Sequence, residues 1–176
     1  RAYYFSMENR DNSGFWYGFN ITAVIRIGFF LCFIPFTQAL LNFAQTVDIG
    51  MVQTSTSTFA VALVNKGAVP LNALEFEVAF NPNEFLVTDI VPEDTLCEER
   101  FIISKNIQNA SGTANFACGT VTPFTGTEGT FAVVYGHMLK TGTTSITFGT
   151  STQVLAHDGL GTNATRNLSN LLFTNR

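Results

Sequence analysis

From position 45 onward, apolar and polar residues alternate with a period of two, the mark of a strand with one buried face. In Leu74–Phe80 the apolar set is Leu74, Phe76, Val78 and Phe80, set against Glu75, Glu77 and Ala79. Phe59, Val61 and Leu63 alternate with Thr58, Ala60 and Ala62, and Ile146 and Phe148 with Ser145, Thr147 and Gly149. Between Phe131 and Leu139 the alternation assigns Phe131, Val133, Tyr135, His137 and Leu139 to one apolar face. Further strands are expected over Val47–Gln53, Phe85–Val91, Phe101–Ile107, Thr113–Ala117, Gln153–Ala156 and Leu168–Thr174. Turn-forming residues separate these runs: Asn65-Lys66-Gly67, Asn81-Pro82-Asn83, Ser111-Gly112, Thr125-Gly126, Thr141-Gly142 and Asp158-Gly159. No segment here keeps a helical period. About nine short strands between turns predict an all-β fold, a two-sheet sandwich or jelly roll.

The first 44 residues read differently. Residues 27–36 are uninterruptedly apolar apart from Gly28 and Pro35, with Arg26 immediately before them. Thr37 and Ala39, then Asn42 and Ala44, supply residues at the −3 and −1 spacing of a processing site. A basic flank, a short apolar core and such a site describe a secretory signal peptide. Cleavage after Ala44 is preferred to cleavage after Ala39. An uncleaved membrane anchor over Ile21–Ala44 and a buried helix are the alternatives; a spanning helix needs about twenty apolar residues, and Arg26 interrupts this stretch. The expected organisation is an extension and signal peptide over residues 1–44 and a sandwich domain over 45–176. Export, cleaved or anchored, places that domain outside the cell or on its surface. A membrane enters only through the N-terminal segment.

Composition narrows the partners. The 176 residues are 46% apolar and 12% charged, which suits one well-packed domain and excludes a disordered chain. Residues 45–176 carry eleven acidic and six basic side chains, a net charge of −5. Nucleic acid is not expected, since phosphate binding needs clustered Lys and Arg. Cys32 lies in the apolar N-terminal core, leaving Cys97 and Cys118. In an exported chain an even pair reads as a disulfide, and closing a loop of this size is worth roughly 3 kcal/mol. Two free buried thiols are the other reading.

Three blocks in this order resemble the cohesin family and its relatives among the carbohydrate-binding sandwich domains. The first runs from Phe59–Asn65 through Leu71–Pro82 to Phe85–Val91, with Asn81 where cohesins have an aspartate before the proline. The second is Gly126–Tyr135 leading into Leu139–Phe148, and the third is Val154–Asn163. The resemblance spans residues 45–176. It implies a nine-stranded jelly-roll sandwich that works by binding, as cellulosomal cohesins bind dockerin modules through one sheet face.

Candidate chemistry is sparse. Glu75 and Glu77 share a strand face about 7 Å apart; that spacing could suit an inverting glycosidase, and an ordinary solvent-facing strand is the plainer reading. His137 falls on the expected apolar face, where packing explains it, and His157 precedes Asp158 in a loop. Asp158–Asn163 offers oxygen ligands in a tight turn, but calcium wants six to eight of them, so the loop would need distant help. Glu93, Asp94, Glu98 and Glu99 form a small acidic cluster, and Asn109, Asn163 and Asn167 head glycosylation sequons. No nucleophile, base and orienting group can be assembled, so no catalytic, cofactor-binding or metal residues are assigned. The reading is a non-catalytic extracellular module that binds a protein, dockerin-like or another surface protein, possibly in a scaffold. The alternative is a carbohydrate-binding module for a polysaccharide. Against it, residues 45–176 contain no tryptophan and Tyr135 as their one tyrosine, whereas flat glycans are gripped by exposed aromatic rings.

Overall fold

The computed structural model describes residues 45–93, 97 and 99–175, so the expected signal peptide or anchor, with Cys32, lies outside the described residues. Eleven strands form two sheets: β1 (Val47–Gln53), β2 (Thr58–Asn65), β3 (Leu71–Phe80), β4 (Phe85–Pro92), β5 (Ile102–Gln108), β6 (Thr113–Phe124), β7 (Glu128–Met138), β8 (Gly142–Phe148), β9 (Gln153–Ala156), β10 (Thr165–Ser169) and β11 (Leu171–Asn175). A single 3₁₀ turn, Glu99–Phe101, precedes β5. The first sheet has the order β10-β1-β2-β7-β4, and the second β11-β8-β3-β6-β5. β9 and β8 share one edge of β3, β9 along Leu71–Glu75 and β8 along Val78–Phe80. All pairs are antiparallel except β1 with β10. The expected two-sheet all-β sandwich is therefore what forms, with eleven strands rather than nine.

The sheets pack through the alternating apolar sets. Val47, Ile49 and Met51, Phe59, Val61 and Leu63, and Phe85, Val87 and Ile90 point inward from the first sheet. Leu74, Phe76, Val78 and Phe80, with Ala114, Phe116 and Cys118, answer them from the second. Phenylalanine rings from both sheets meet in the middle. Phe85 lies 5.0 Å from Phe173, 5.7 Å from Phe80 and 6.4 Å from Phe59 between centroids. Each buried ring contributes roughly 1.5–3 kcal/mol by leaving water.

Two readings of the sequence need correction. In β7, Val61 of β2 pairs with Ala132 and Ala62 with Thr130, so Phe131 is an extra, bulged residue. A bulge shifts the pattern by one, and a one-residue shift sends side chains to the opposite face. Phe131, Ala132 and Val134 are buried, whereas Tyr135 and His137 are exposed. Gly136 takes the next inward place because the Phe85 ring fills it: a Cβ there would stand 2.5 Å from Phe85 Cζ. The second correction is at the C-terminus, where one strand was expected over Leu168–Thr174. The chain instead changes sheets at Asn170, whose Oδ1 accepts a hydrogen bond from the Phe148 amide at 2.9 Å.

Side chains close two of the open sheet edges. The Asn109 amide pairs with both backbone groups of Val87 on β4, at 2.8 and 2.9 Å. Gln53 does the same for Thr174 on β11, at 2.7 and 2.9 Å. Buried Asn65 joins two turns, donating to the carbonyls of Val69 and Gly126 and accepting from the Val69 amide. The parallel β1–β10 pair is fastened by Asp48, which receives Arg166, Lys66 at 3.0 Å and Asn167 at 3.0 Å. Hydrogen bonds from Arg166, then Lys66, hold the Asp48 carboxyl down to about 2.

Two predictions follow from these contacts. Gly112 has φ +70°, and a Cβ there would stand 2.1 Å from the Phe80 carbonyl oxygen. Gly159 has φ +72° but open space around it. Gly112→Ala will cost at least about 2 kcal/mol and Gly159→Ala only about 1, read from urea midpoints at unchanged m-value. Because the folded-state pKa of Asp48 is depressed, its ion pairs stabilise fully above its unfolded value near 3.8 and are lost as pH falls toward 2. The stability gap between the native chain and Asp48→Asn should be open at pH 6 and closed by about pH 2, measured by urea unfolding across that range.

Candidate functional site

The outer face of the second sheet collects the outward residues of β3, β6, β8 and β9. Along β3 these are Ala73, Glu75, Glu77 and Ala79, alternating with the buried Leu74, Phe76, Val78 and Phe80. β6 sets Asn115, Ala117 and Gly119 beside Glu77, Glu75 and Ala73 respectively. β8 adds Thr143, Ser145 and Thr147. Small side chains, Ala73, Ala79, Ala117 and Gly119, surround its two glutamates.

Its electrostatics are one-sided. None of the strands of this sheet turns a lysine or arginine onto the outer face among the described residues. Lys105 of β5 reaches across to the first sheet, 2.5 Å from Asp89 Oδ1 and 3.0 Å from the Ile90 carbonyl. That hydrogen bond is the main reason the Asp89 carboxyl is held below its ordinary range. Glu77 is engaged locally: Ser151 Oγ donates to its carboxylate at 3.0 Å. The same carboxylate crowds Gly149, where a Cβ would meet Glu77 Cδ at 2.5 Å. Glu75 makes no ion pair or side-chain hydrogen bond among the described residues. The pair is thus one structural carboxylate and one uncommitted one, with no acid–base partner between them.

At one end of this face lies a recess of about 430 Å³. Ala73 and Gly119 form its floor, Phe101, Ile103 and Val121 its walls, and Arg100 its rim. The Arg100 guanidinium lies 5.1 Å from the Phe101 ring centroid. Ile103 and Val121 are 72% and 67% exposed, large apolar side chains left in water. Sequence alternation could not reveal the recess, because its wall is a bulge at Ile103 and a 3₁₀ turn. Next to it, Cys97 and Cys118 form a disulfide with Cα atoms 5.4 Å apart, both cysteines fully buried. It ties the connection from β4 to β5 onto β6.

The remaining candidates do not converge. His137 and His157 are both exposed, on β7 and in the loop after β9. Asp158 Oδ1 accepts from the Leu160 amide at 2.8 Å, and the Thr162 hydroxyl, first among its hydrogen bonds, holds this carboxyl below its usual range. Among the described residues no three His, Cys, Asp or Glu side chains are grouped to hold a metal ion. Of the acidic cluster, Asp94 and Glu98 lie outside the described residues. Of the sequon asparagines, Asn109 is committed to Val87 and Asn163 to the Thr165 amide. Asn167 is exposed on β10 and donates to Asp48.

The sandwich matches solved structures that share this layout. The sixth cohesin of scaffoldin B from Acetivibrio cellulolyticus, solved in complex with a Cel5 dockerin, aligns with TM-score 0.61 at 10% identity, covering 74% of this chain and 99% of that one. A cohesin from Clostridium acetobutylicum aligns with TM-score 0.58 at 17% identity, covering 73% and 90%. A type II cohesin from the cellulosome of Acetivibrio cellulolyticus gives TM-score 0.58 at 17% identity, covering 73% and 95%. The chain has the cohesin fold. No family model matches the sequence, and no curated protein does. At these identities the cohesin likeness is one of architecture, and the bulged β7 and the β9 strand beside β3 are parts of that architecture in this chain.

The disulfide generates a prediction. Its loop spans 21 positions, so reduction should lower unfolding stability by about 3 kcal/mol, measured by urea unfolding with and without reductant. Alkylation before reduction should leave Cys97 and Cys118 unmodified by intact mass. Modification of both would mean that the native thiols are free.

Proposed function

We propose that this chain is a non-catalytic, extracellular binding module of cohesin type, docking a protein partner on the outer face of its second sheet. Glu75 carries the reading: an uncommitted carboxylate amid small side chains, on a face where the strands themselves turn no lysine or arginine outward among the described residues and Arg100 stands at the far rim of the recess. The first sheet's outer face differs in carrying cations: Asp48 and Asp89 there are paired with Lys66, Arg166 and Lys105, and its exposed Glu128 stands at the end of β7 opposite Val64. A carboxylate without a local partner is matched by a lysine or arginine brought from outside, which orients docking and speeds encounter. Small residues around it let a partner's backbone approach closely. The solved relatives captured with dockerins support a protein over a glycan as the partner, and a disulfide suits an oxidising compartment outside the cytoplasm.

The test is a side-by-side binding screen of the purified chain, with calcium and with chelator, against dockerin modules and a polysaccharide panel. Retention of a dockerin is expected. Glu75→Lys should then weaken it at least tenfold, while Val52→Lys, on the first sheet's exposed outer face, should leave it unchanged. Retention on a glycan alone would replace the reading with the carbohydrate-binding one. The opposite response of the two variants would move the docking face to the first sheet.

A further inference from the structure

We infer that the recess beside β5 is an anchor site for one uncharged aliphatic or aromatic side chain of the partner, followed about 7 Å away by a lysine or arginine. This rests on the docking face proposed above and names the chemistry that face selects. The volume is the first argument. About 430 Å³ admits a leucine, methionine or phenylalanine side chain with its adjoining backbone. The lining is the second: the walls Phe101, Ile103 and Val121 are hydrocarbon, the floor at Ala73 and Gly119 has no side chain beyond a methyl group, and Asn72, Thr120 and Arg100 supply polar atoms around them. Burying an apolar side chain here also removes the exposed parts of Ile103 and Val121 from water. Side chains seated in well-packed, desolvated pockets carry much of the energy of protein interfaces.

Charge sets the register. Glu75 is two residues along β3 from Ala73, on the same face, and successive same-face positions in a strand stand about 7 Å apart. A cation at that distance from the anchor therefore meets Glu75. In an extended peptide the matching positions are i and i+2. The wall and the floor of the recess are held together covalently close by. Cys118 precedes Gly119 in β6, and Cys97 begins the stretch that leads to Arg100 and Phe101. The anchor site is consequently built from two chain segments that the disulfide keeps in register.

The inference can be tested without any natural partner, which separates its failure from that of the docking reading. The probes are acetyl-Leu-Ala-Lys-amide, its Leu→Ser version and its Lys→Glu version, titrated into the isotopically labelled chain and followed by amide chemical shifts. The leucine peptide is expected to move Ile103, Gly119, Val121 and Glu75, with weak, millimolar-range saturation. The serine version should leave the recess amides still, and the glutamate version should bind at least threefold more weakly. Ile103→Asp with Val121→Asp, both at exposed positions, should abolish the leucine response while the rest of the spectrum stays native. Equal shifts from the leucine and serine peptides, or none from either, would overturn the anchor. Equal binding of the lysine and glutamate versions would overturn the charge register. Neither outcome touches whether a dockerin docks on the face.

Discussion

Two twisted sheets stay together only if rings and branched chains from both fill the roughly 10 Å between them, and here Phe85 occupies the centre of that layer. It comes from β4, an edge strand of the first sheet, and touches Phe59 of its own sheet and Phe80 and Phe173 of the other. Much of the neighbouring backbone follows from its position. The ring fills the inward slot of β7 at residue 136, so only glycine fits there. With Gly136 facing in, Tyr135 and His137 must face out. Yet Phe131, five residues earlier, is also buried, and both can point inward only if the strand carries an extra residue between them. The bulge at Phe131 is the accommodation.

That dependence explains what could and could not be read from the sequence. The strands with unbroken alternation, Leu74–Phe80 and Val47–Gln53, formed where and as expected, since alternation reports burial directly. The turn at Asn81 was also legible, and its Oδ1 accepts from the Asn83 amide at 3.0 Å as an Asx turn requires. β7 was misread because a bulge is invisible to a period-two pattern, and because an inward glycine leaves no hydrophobic mark. The split between β10 and β11 was missed for a related reason: Leu168 and Leu171–Phe173 look like one apolar run, but they belong to different sheets. The count of nine strands against eleven follows from such corners. For the site, the shared face of Glu75 and Glu77 was legible, while their different states were not. Those states depend on Ser151 and on the close approach of Gly149, both more than seventy residues away in sequence.

The distribution of charge is the part of the structure that points beyond folding. Asp48 and Asp89 sit beside cations and serve the first sheet's edges, one fastening a parallel strand and the other helping Lys105 cover β4. Surface ion pairs of this kind contribute little stability each; their value lies in fixing which strands are neighbours. Among the described residues, the strands of the second sheet show no such pair with each other on their outer face. Its edge cation, Lys105, is drawn away to the first sheet, and half-buried Glu75 has no ion-pair or side-chain hydrogen-bond partner among the described residues. A folded chain with a net negative charge gains nothing for stability from that arrangement. The proposed partner, bearing the missing cation, is what would gain from it.

The disulfide connects these two themes. Any chain that crosses from one sheet to the other must leave the hydrogen-bonded ladder, and the crossing from β4 to β5 brings Arg100 and Phe101 to the recess at the end of the face that carries Glu75. Without a crosslink, the 3₁₀ turn at Glu99–Phe101 would be held mainly by the packing of Ile102 against the core and by the ladder that β5 shares with β6. Joining Cys97 to Cys118 fixes the middle of that crossing to the strand whose next residue, Gly119, lines the recess. A pocket wall ordered before binding spares the partner the entropy of ordering it. The crosslink that limits the unfolded chain thus also keeps two parts of the recess lining, Phe101 and Gly119, close to each other.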